Sequence, residues 1–572
     1  MTNTEPLYEV RKIKDIKDMF YSSVELYGDK CAFMIKDTPG GPYREISYNE
    51  FKDDVEAFGS VLIEMGLKGK RIAIMGENRY ELAVAYMAIV NGVGVVVPFD
   101  KELPAEEIAN LMKISEVSAF AYSGKFKNKI QNIITEDMPV KHFINMDIEK
   151  DSDKELSFHW LIKRGQVLLK EGYDGYKNIK IDPEVMSILL FTSGTTGLSK
   201  GVMLCHRNIA SNLMSMCAIV HIKPSDIFFS VLPMHHTYEC TCGFLTPIYR
   251  GSAIAYCEGL KYILKNMEEA KPTMFLSVPL IFEGIYKKIW RQAKANGVDK
   301  KLKKAIRINK VLNKCGIDLS KKFFKKIHHV FGGRMRMLIS GGAALDPEVA
   351  KGYNDLGILT FQGYGLTESS PIVAVNPDIK PKHASAGIPT PGVEVKIDQA
   401  NEDGIGEIIA KSDSIMMGYY NNPKATNEVL KDGWYHTGDL GYIDDENYIY
   451  ITGRKKNVIV TKNGKNIFPE ELEFYLNRSD YIEESMVWGR TDENSGETYI
   501  NAQIKVMDEM IEEALGSDYS DEMVHRLIQK EVDQINKDLP FYKKIRKINI
   551  KKGEFAKTTT KKIKRHLEVP AQ

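Results

Sequence analysis

Apolar positions in the first third of the chain change period repeatedly. Residues 51–65 carry apolar side chains at helical spacing, residues 71–75 form a short strand-like run, and residues 82–99 are the longest apolar region. Asn91, Gly92, Gly94 and Pro98 interrupt that region. It therefore divides into a helix over 82–90 and a strand over 93–97 and is too broken for a membrane span. Helix alternating with strand predicts α/β architecture with parallel strands. Residues 122–180 are polar and weakly patterned and read as a connector. A buried strand follows over 185–191, a second strand over 202–204 and a helix over 208–220. Two later runs, 339–345 and 361–368, each read as a strand ending in small or polar residues, where open α/β sheets collect ligands. After Gly387 short strands and turns predict a β-rich region, a small barrel. The charged turn at 452–457 marks a boundary, beyond which an α+β unit runs to Gln572.

Composition narrows this picture. The 572 residues exceed one ordinary domain, so at least two folding units are expected. A net charge of +1 gives no global field for nucleic acid, and no nucleic-acid partner is expected. Seven cysteines without a CxxC pair fit free thiols in a reducing compartment. With no apolar leader in residues 1–15, the expected location is the cytoplasm.

The candidate chemistry begins at 191–201. Three glycines, five hydroxyls (Thr192, Ser193, Thr195, Thr196, Ser199) and Lys200 lie between two strands. Glycines such as Gly194 let backbone N–H groups approach an anion, hydroxyls donate to it, and the lysine adds a point charge, the parts of a polyphosphate cradle. The spacing is not that of the GxxxxGK[ST] loop. In 361–368, Tyr364 offers an aromatic face, Thr367 a hydroxyl and Glu368 a carboxylate for Mg2+ beside phosphate. Asp439, in the stretch 434–441, suits vicinal ribose hydroxyls. His235, His236, Cys240 and Cys242 invite a zinc reading, but adjacent histidines rarely chelate one ion; a histidine lining a pocket or packed in the core is preferred. Residues 287–326 hold fifteen Lys/Arg against two Asp, interleaved with apolar residues. They read either as a solvated basic face or as a surface for peripheral association with an anionic membrane.

Taken in order, TSGTTGLSKG, SGGAAL, QGYGLTE, YHTGDLG, GRKKN and TTTKKIKR resemble the adenylate-forming superfamily of acyl-CoA synthetases, peptide-synthetase adenylation domains and beetle luciferases. The resemblance implies a large N-terminal adenylation domain, residues 1–453, of two α/β subdomains plus a β-barrel, and a small mobile α+β C-terminal domain, residues 454–572. It implies two half-reactions: a carboxylate attacks the α-phosphate of ATP, and a thiol then displaces AMP. By the family pattern Thr192 to Lys200 hold the β- and γ-phosphates, Glu368 the Mg2+ and Thr367 the α-phosphate. Tyr364 lies against adenine with Gly341, Gly342 and Ala343 on its other side, and Asp439 and Arg454 take the ribose. Lys562 bonds carboxylate and phosphate oxygens, and His236, with His235 as the alternative, flanks the acyl carboxylate. Lys456 is the hinge and Gly464 lines the thiol channel. The chain departs from the family at Lys561, where glycine is usual, and near Ala556, where proline is. The stretches 76–79 and 235–239 and the basic insertion look like long-chain fatty acyl-CoA synthetases, with fatty acid, ATP and CoA as substrates. An acyl-carrier-protein synthetase, an aryl-CoA ligase and a non-catalytic nucleotide or acyl binder are the alternatives.

Overall fold

The computed structural model describes residues 4–135, 138–192, 199–462, 465–492, 497–557 and 563–569. Two compact units divide the chain. The first comprises Met1–Thr192, Ser199–Val395 and Ala410–Tyr435, and the second Lys396–Ile409 and His436–Gln572.

The first unit is built on two sheets. One has eight strands in the order 418–419, 200–205, 186–192, 94–98, 70–75, 119–122, 142–145, 156–157. Its neighbours are parallel from 186–192 to 156–157, and antiparallel pairs lie at the 200–205 end. The other has nine strands in the order 388–389, 372–375, 359–365, 337–340, 274–277, 227–230, 253–256, 31–35, 44–47, with a parallel centre and antiparallel edges.

Why the strands read as unbroken apolar runs follows from burial on both faces. Ile72 and Ile74 enter one core while Ala73 and Met75 enter another. In the nine-stranded sheet Phe228, Met274, Leu276 and Ile339 join that same first core, whereas Phe229, Phe275 and Leu338 face a third. The shared core is completed by helices Tyr48–Glu64, Tyr80–Ala88 and His206–Cys217. Helix Tyr48–Glu64 starts where Ser47 and Glu50 cap each other's backbone N–H groups. The apolar region 82–99 resolves into helix Tyr80–Ala88, one turn of π-helix and strand Gly94–Pro98, close to the expected division. No helix among the described residues is long and apolar enough to cross a membrane.

The connector expected over 122–180 is a correction. It contains strands His142–Asn145 and Leu156–Ser157, which extend the eight-stranded sheet, and helix Phe158–Lys170. That helix buries only Phe158, Leu161 and Gly165, so its average composition is polar although one stripe is apolar. Gly165 lies so close to helix Tyr48–Glu64 that a Cβ there would stand 1.9 Å from the Ala57 carbonyl oxygen.

Strands 394–398, 406–411, 430–431, 434–443 and 449–454 form a five-stranded sheet, the β-rich region expected after Gly387. In the second unit a further sheet of strands Ile482–Thr491, Thr498–Val506 and Ile545–Ile550 packs with helices Pro469–Leu476 and Asp521–Asp538 around Leu472, Val487, Ile504 and Ile528. Back in the first unit, the crossover from Met274–Ser277 to Met337–Ser340 is occupied by helices Pro279–Ala295, Asp299–Lys314, Ser320–Phe323 and Lys325–Val330, which carry the basic stretch.

Candidate active site

Parallel strands point their carboxyl ends one way, and the candidate residues of the first unit lie at those ends. Ser340 pairs with Gln362 in register, so the loop at Gly341, Gly342 and Ala343 begins beside the strand that carries Tyr364. Gly341 must lack a side chain, because a Cβ would approach the Tyr238 ring to 2.7 Å. Gly342 has φ +82°, a left-handed conformation that glycine adopts without strain. Gly365 passes so close to the Pro371 carbonyl that a Cβ would stand 1.9 Å from its oxygen, and the turn Thr367–Ser369 follows.

Lys200 and Glu368 share one neighbour. The Lys200 ammonium sits 4.8 Å above the Tyr419 ring, and the Tyr419 hydroxyl donates to Glu368 Oε1 at 2.8 Å. Burial, and then Glu368, push the Tyr419 phenol above its ordinary pKa, so it remains a donor at neutral pH. Strand register brings Tyr419 there: Gly418 and Tyr419 pair with Met203 and Val202, and Tyr420 N–H donates to the Gly201 carbonyl. Thr192 closes the other side of the cradle's base, its hydroxyl 3.4 Å from the Lys200 carbonyl oxygen. Of the remaining cradle residues, Ser193, Gly194, Thr195 and Thr196 lie outside the described residues, as do Gly464, Lys561 and Lys562.

His235 and His236 occupy the loop after strand Ile227–Ser230, their rings 4.1 Å apart between centroids, with His235 Nε2 3.4 Å from Asp100 Oδ1. Asn78 fixes this loop. Its amide group donates to Ser230 Oγ (2.8 Å) and the Leu232 carbonyl (2.6 Å), and its carbonyl accepts from Met234 N–H (3.0 Å). The carboxyl ends of both sheets are thus tied by one carboxamide. Asn78→Ala leaves these backbone groups unpaired, and an unmet buried polar group costs on the order of 1–3 kcal/mol. A lowered urea midpoint is expected; Asn78→Asp should recover part of the loss, because it keeps the acceptor.

Beyond the histidines a π-helix spans Tyr238–Leu245. Cys240 and Cys242 belong to the shared hydrophobic core, which is a packing role. Glu239 is buried there, accepting from Ser230 Oγ at 2.5 Å, and burial pushes its carboxyl up to about 8. Tyr238 donates to the Ile339 carbonyl at 2.9 Å and, with Val220, Phe228, Leu276 and Ile372, lines an apolar cavity that reaches Gly363.

In the second unit Asp439 and Arg454 face each other across antiparallel strands, Arg454 Nε 2.6 Å from Asp439 Oδ1. Thr437 Oγ donates to the Ile408 carbonyl and accepts from Asp439 N–H, fixing the Asp439 backbone. Glu407 accepts from Gly438 N–H and from Lys455 Nζ at 2.8 Å, with His436 Nδ1 3.5 Å away. Burial alone would raise the Glu407 pKa, but Lys455 and these neighbours hold it below the usual range. Asp398, Glu407 and His436 are the one group among the described residues with three possible metal ligands, and Lys455 already supplies a cation to it. Lys456 lies in the turn Lys455–Asn457 that follows Arg454.

Sequence reasoning did not find Tyr419, Asn78 as the loop's anchor, or Glu407 with Lys455. The signals present were the GYY string at 418–420 and Glu407 directly after the Gly404-Ile405-Gly406 turn.

The AMP-binding enzyme family model matches residues 20–420. The chain is 28% identical over 566 residues to fatty acyl-CoA synthetase B of Dictyostelium discoideum, covering 93% of this chain and 81% of that one. It is also 28% identical over 548 residues to a long-chain-fatty-acid acyl-carrier-protein ligase of Arabidopsis thaliana (AEE15, chloroplastic), covering 83% and 75%. Among solved structures, the anthranilate CoA ligase AuaEII in complex with anthranoyl-AMP superposes with a TM-score of 0.76 at 19% identity, over 98% of this chain and 97% of that one.

Proposed function

Because the chain belongs to the AMP-binding enzyme family, we propose that the residues gathered around Tyr419 and Tyr364 activate a fatty acid for transfer to CoA. The enzyme is an AMP-forming acid–thiol ligase: it converts acid and ATP to acyl-adenylate and pyrophosphate, then transfers the acyl group to a thiol with release of AMP. The observation that carries the residue assignment is the single tyrosine between Lys200 and Glu368.

In-line attack on phosphorus is accelerated chiefly by positioning and by neutralising charge. Lys200, held over the Tyr419 ring, would bind the β- and γ-phosphates with Thr192, Ser193, Gly194, Thr195 and Thr196. Thr367 would donate to the α-phosphate. Tyr364 would lie against adenine opposite Gly341, Gly342 and Ala343, and Asp439 with Arg454 would hold the ribose. His236 would orient the acyl carboxylate. Lys562 would bridge carboxylate and α-phosphate oxygens, Lys456 would be the hinge between domains 1–453 and 454–572, and Gly464 would line the thiol channel.

Glu368 fits Mg2+, since a carboxylate that accepts one phenol hydrogen bond keeps acceptor capacity for a hard cation. Bound there, Mg2+ would offset phosphate charge. The Tyr419 hydroxyl would orient that carboxylate. Tyr419→Phe keeps the ring beneath Lys200 and removes the hydroxyl's bonds to Glu368 and Tyr435. It is expected to raise the Mg2+ concentration for half-maximal adenylation about tenfold, as loss of a hydrogen bond to a charged group does, with little change in KM for the acid. An unchanged Mg2+ dependence would contradict this role.

Equal identity to a CoA synthetase and to a carrier-protein ligase keeps the acceptor open to a direct test. Pyrophosphate release should require ATP and a fatty acid. AMP formation across an acid panel should then be greatest with aliphatic acids and with CoA. Greater turnover with acyl-carrier protein would reassign the acceptor, and absence of pyrophosphate release with every acid would reject the function.

A further inference from the structure

We propose that the outer face of helix Asp299–Lys314 and the short helices after it form a docking surface for an anionic phospholipid bilayer. The helix has two apolar stripes, and the protein uses only one. Leu302, Ala305, Ile306, Asn309 and Leu312 recur at three- and four-residue spacing on the inner side, where Asn309 donates to Ser320 Oγ at 2.8 Å. On the opposite side Ile308 and Val311 stand open, 44% and 64% exposed. Lys300, Lys304, Arg307 and Lys314 share that side by the same spacing and are exposed. Among the described residues none of these four cations has an acidic group within 4.0 Å, whereas the neighbouring Lys310 is engaged by Asp355 at 2.7 Å. Farther along, Ile317 and Phe323 are 49% and 41% exposed, and Lys321, Lys322, Lys325 and Lys326 surround Phe323.

A face that served solubility alone would carry the lysines without the exposed Ile, Val and Phe. Against nucleic acid, branched aliphatic side chains gain nothing from phosphates. Against a bilayer, cations meet lipid phosphates and carboxylates while apolar side chains enter the headgroup–acyl boundary. The two features together therefore select a lipid surface. The surface stands on its own residues and does not depend on which acid is activated.

Full-length protein labelled at the exposed Cys315, at the end of this helix, with an environment-sensitive fluorophore should be mixed with phosphatidylcholine vesicles with or without phosphatidylserine. Binding and a blue shift are expected only with phosphatidylserine at low salt, and both should vanish near 1 M salt, where the Debye length is about 3 Å. Each basic residue near the surface contributes about fivefold. Lys304→Glu/Arg307→Glu/Lys314→Glu should therefore bind at least ~100-fold more weakly. Ile308→Ser/Val311→Ser should retain salt-sensitive attraction and lose the blue shift. All five positions are exposed, so the melting temperature and turnover of a short, water-soluble acid should match wild type. No binding at low salt, equal binding to phosphatidylcholine alone, or a triple variant that binds like wild type would overturn the proposal. An Ile308→Ser/Val311→Ser variant with unchanged affinity and blue shift would also overturn it, by showing a general polyanion surface.

Discussion

Replacing Lys562 with alanine is expected to slow acyl-adenylate formation by ~10²–10³-fold, the usual effect of removing a group aimed at developing transition-state charge. As the acid carboxylate attacks, negative charge moves toward the α-phosphate and pyrophosphate oxygens. A single ammonium that bonds both partners stabilises the charge in transit more than it stabilises bound substrates, so kcat falls rather than KM rising. The second half-reaction has no such demand. Thioesterification of a supplied acyl-adenylate should therefore proceed at a rate close to wild type. Single-turnover pyrophosphate release and acyl-CoA formation from synthetic acyl-adenylate measure the two steps separately. Equal damage to both removes the assignment, and a larger effect of Lys561→Ala moves it one residue, to the position where the family usually has glycine.

The mirror-image outcome is expected of Lys456→Pro. Lys456 lies two residues after Arg454, in the short turn Lys455–Asn457, at the proposed junction of domains 1–453 and 454–572. A hinge residue changes φ and ψ between conformations, whereas proline holds φ near −65° and removes an N–H. Adenylation should survive, while acyl transfer to CoA falls by ~10²-fold or more, the scale on which loss of productive geometry acts. Acyl-adenylate should then accumulate on the enzyme after a burst of pyrophosphate. Wild-type acyl-CoA turnover in this variant would exclude Lys456 as the hinge.

What could be read from the chain beforehand was whatever is local in sequence. The strand ends at Thr192, Gly341 and Tyr364 announce themselves because a turn's glycines and hydroxyls sit beside the apolar run they terminate. The division of 82–99 was likewise legible from Gly92, Gly94 and Pro98. Contacts made at long separation were not. Tyr419 meets Glu368 across 51 residues and Asn78 meets Met234 across 156, and neither tyrosine nor asparagine reveals a partner by its own type. Residues 122–180 failed for a different reason: a helix that buries three of its thirteen residues leaves a polar average, although Phe158, Leu161 and Gly165 keep helical spacing. The apolar stripe on helix Asp299–Lys314 was visible as periodicity, but only exposure in the fold separates Ile308 and Val311 from the inward Leu302 and Leu312.

The Asn78 carboxamide has a consequence for how this enzyme can be recombined. Its three hydrogen bonds join the end of one sheet to the end of a strand of the other and the loop leaving it, so the loop that carries His235 and His236 is not a self-contained module. A graft that imports residues 227–277 from a relative brings a loop shaped for that relative's own anchor. Such chimaeras should lose stability and activity together unless the segment around residue 78 travels with the graft. Co-transplanting both segments should restore both. In practical terms, the unit of exchange is a pair of distant segments, inherited as one.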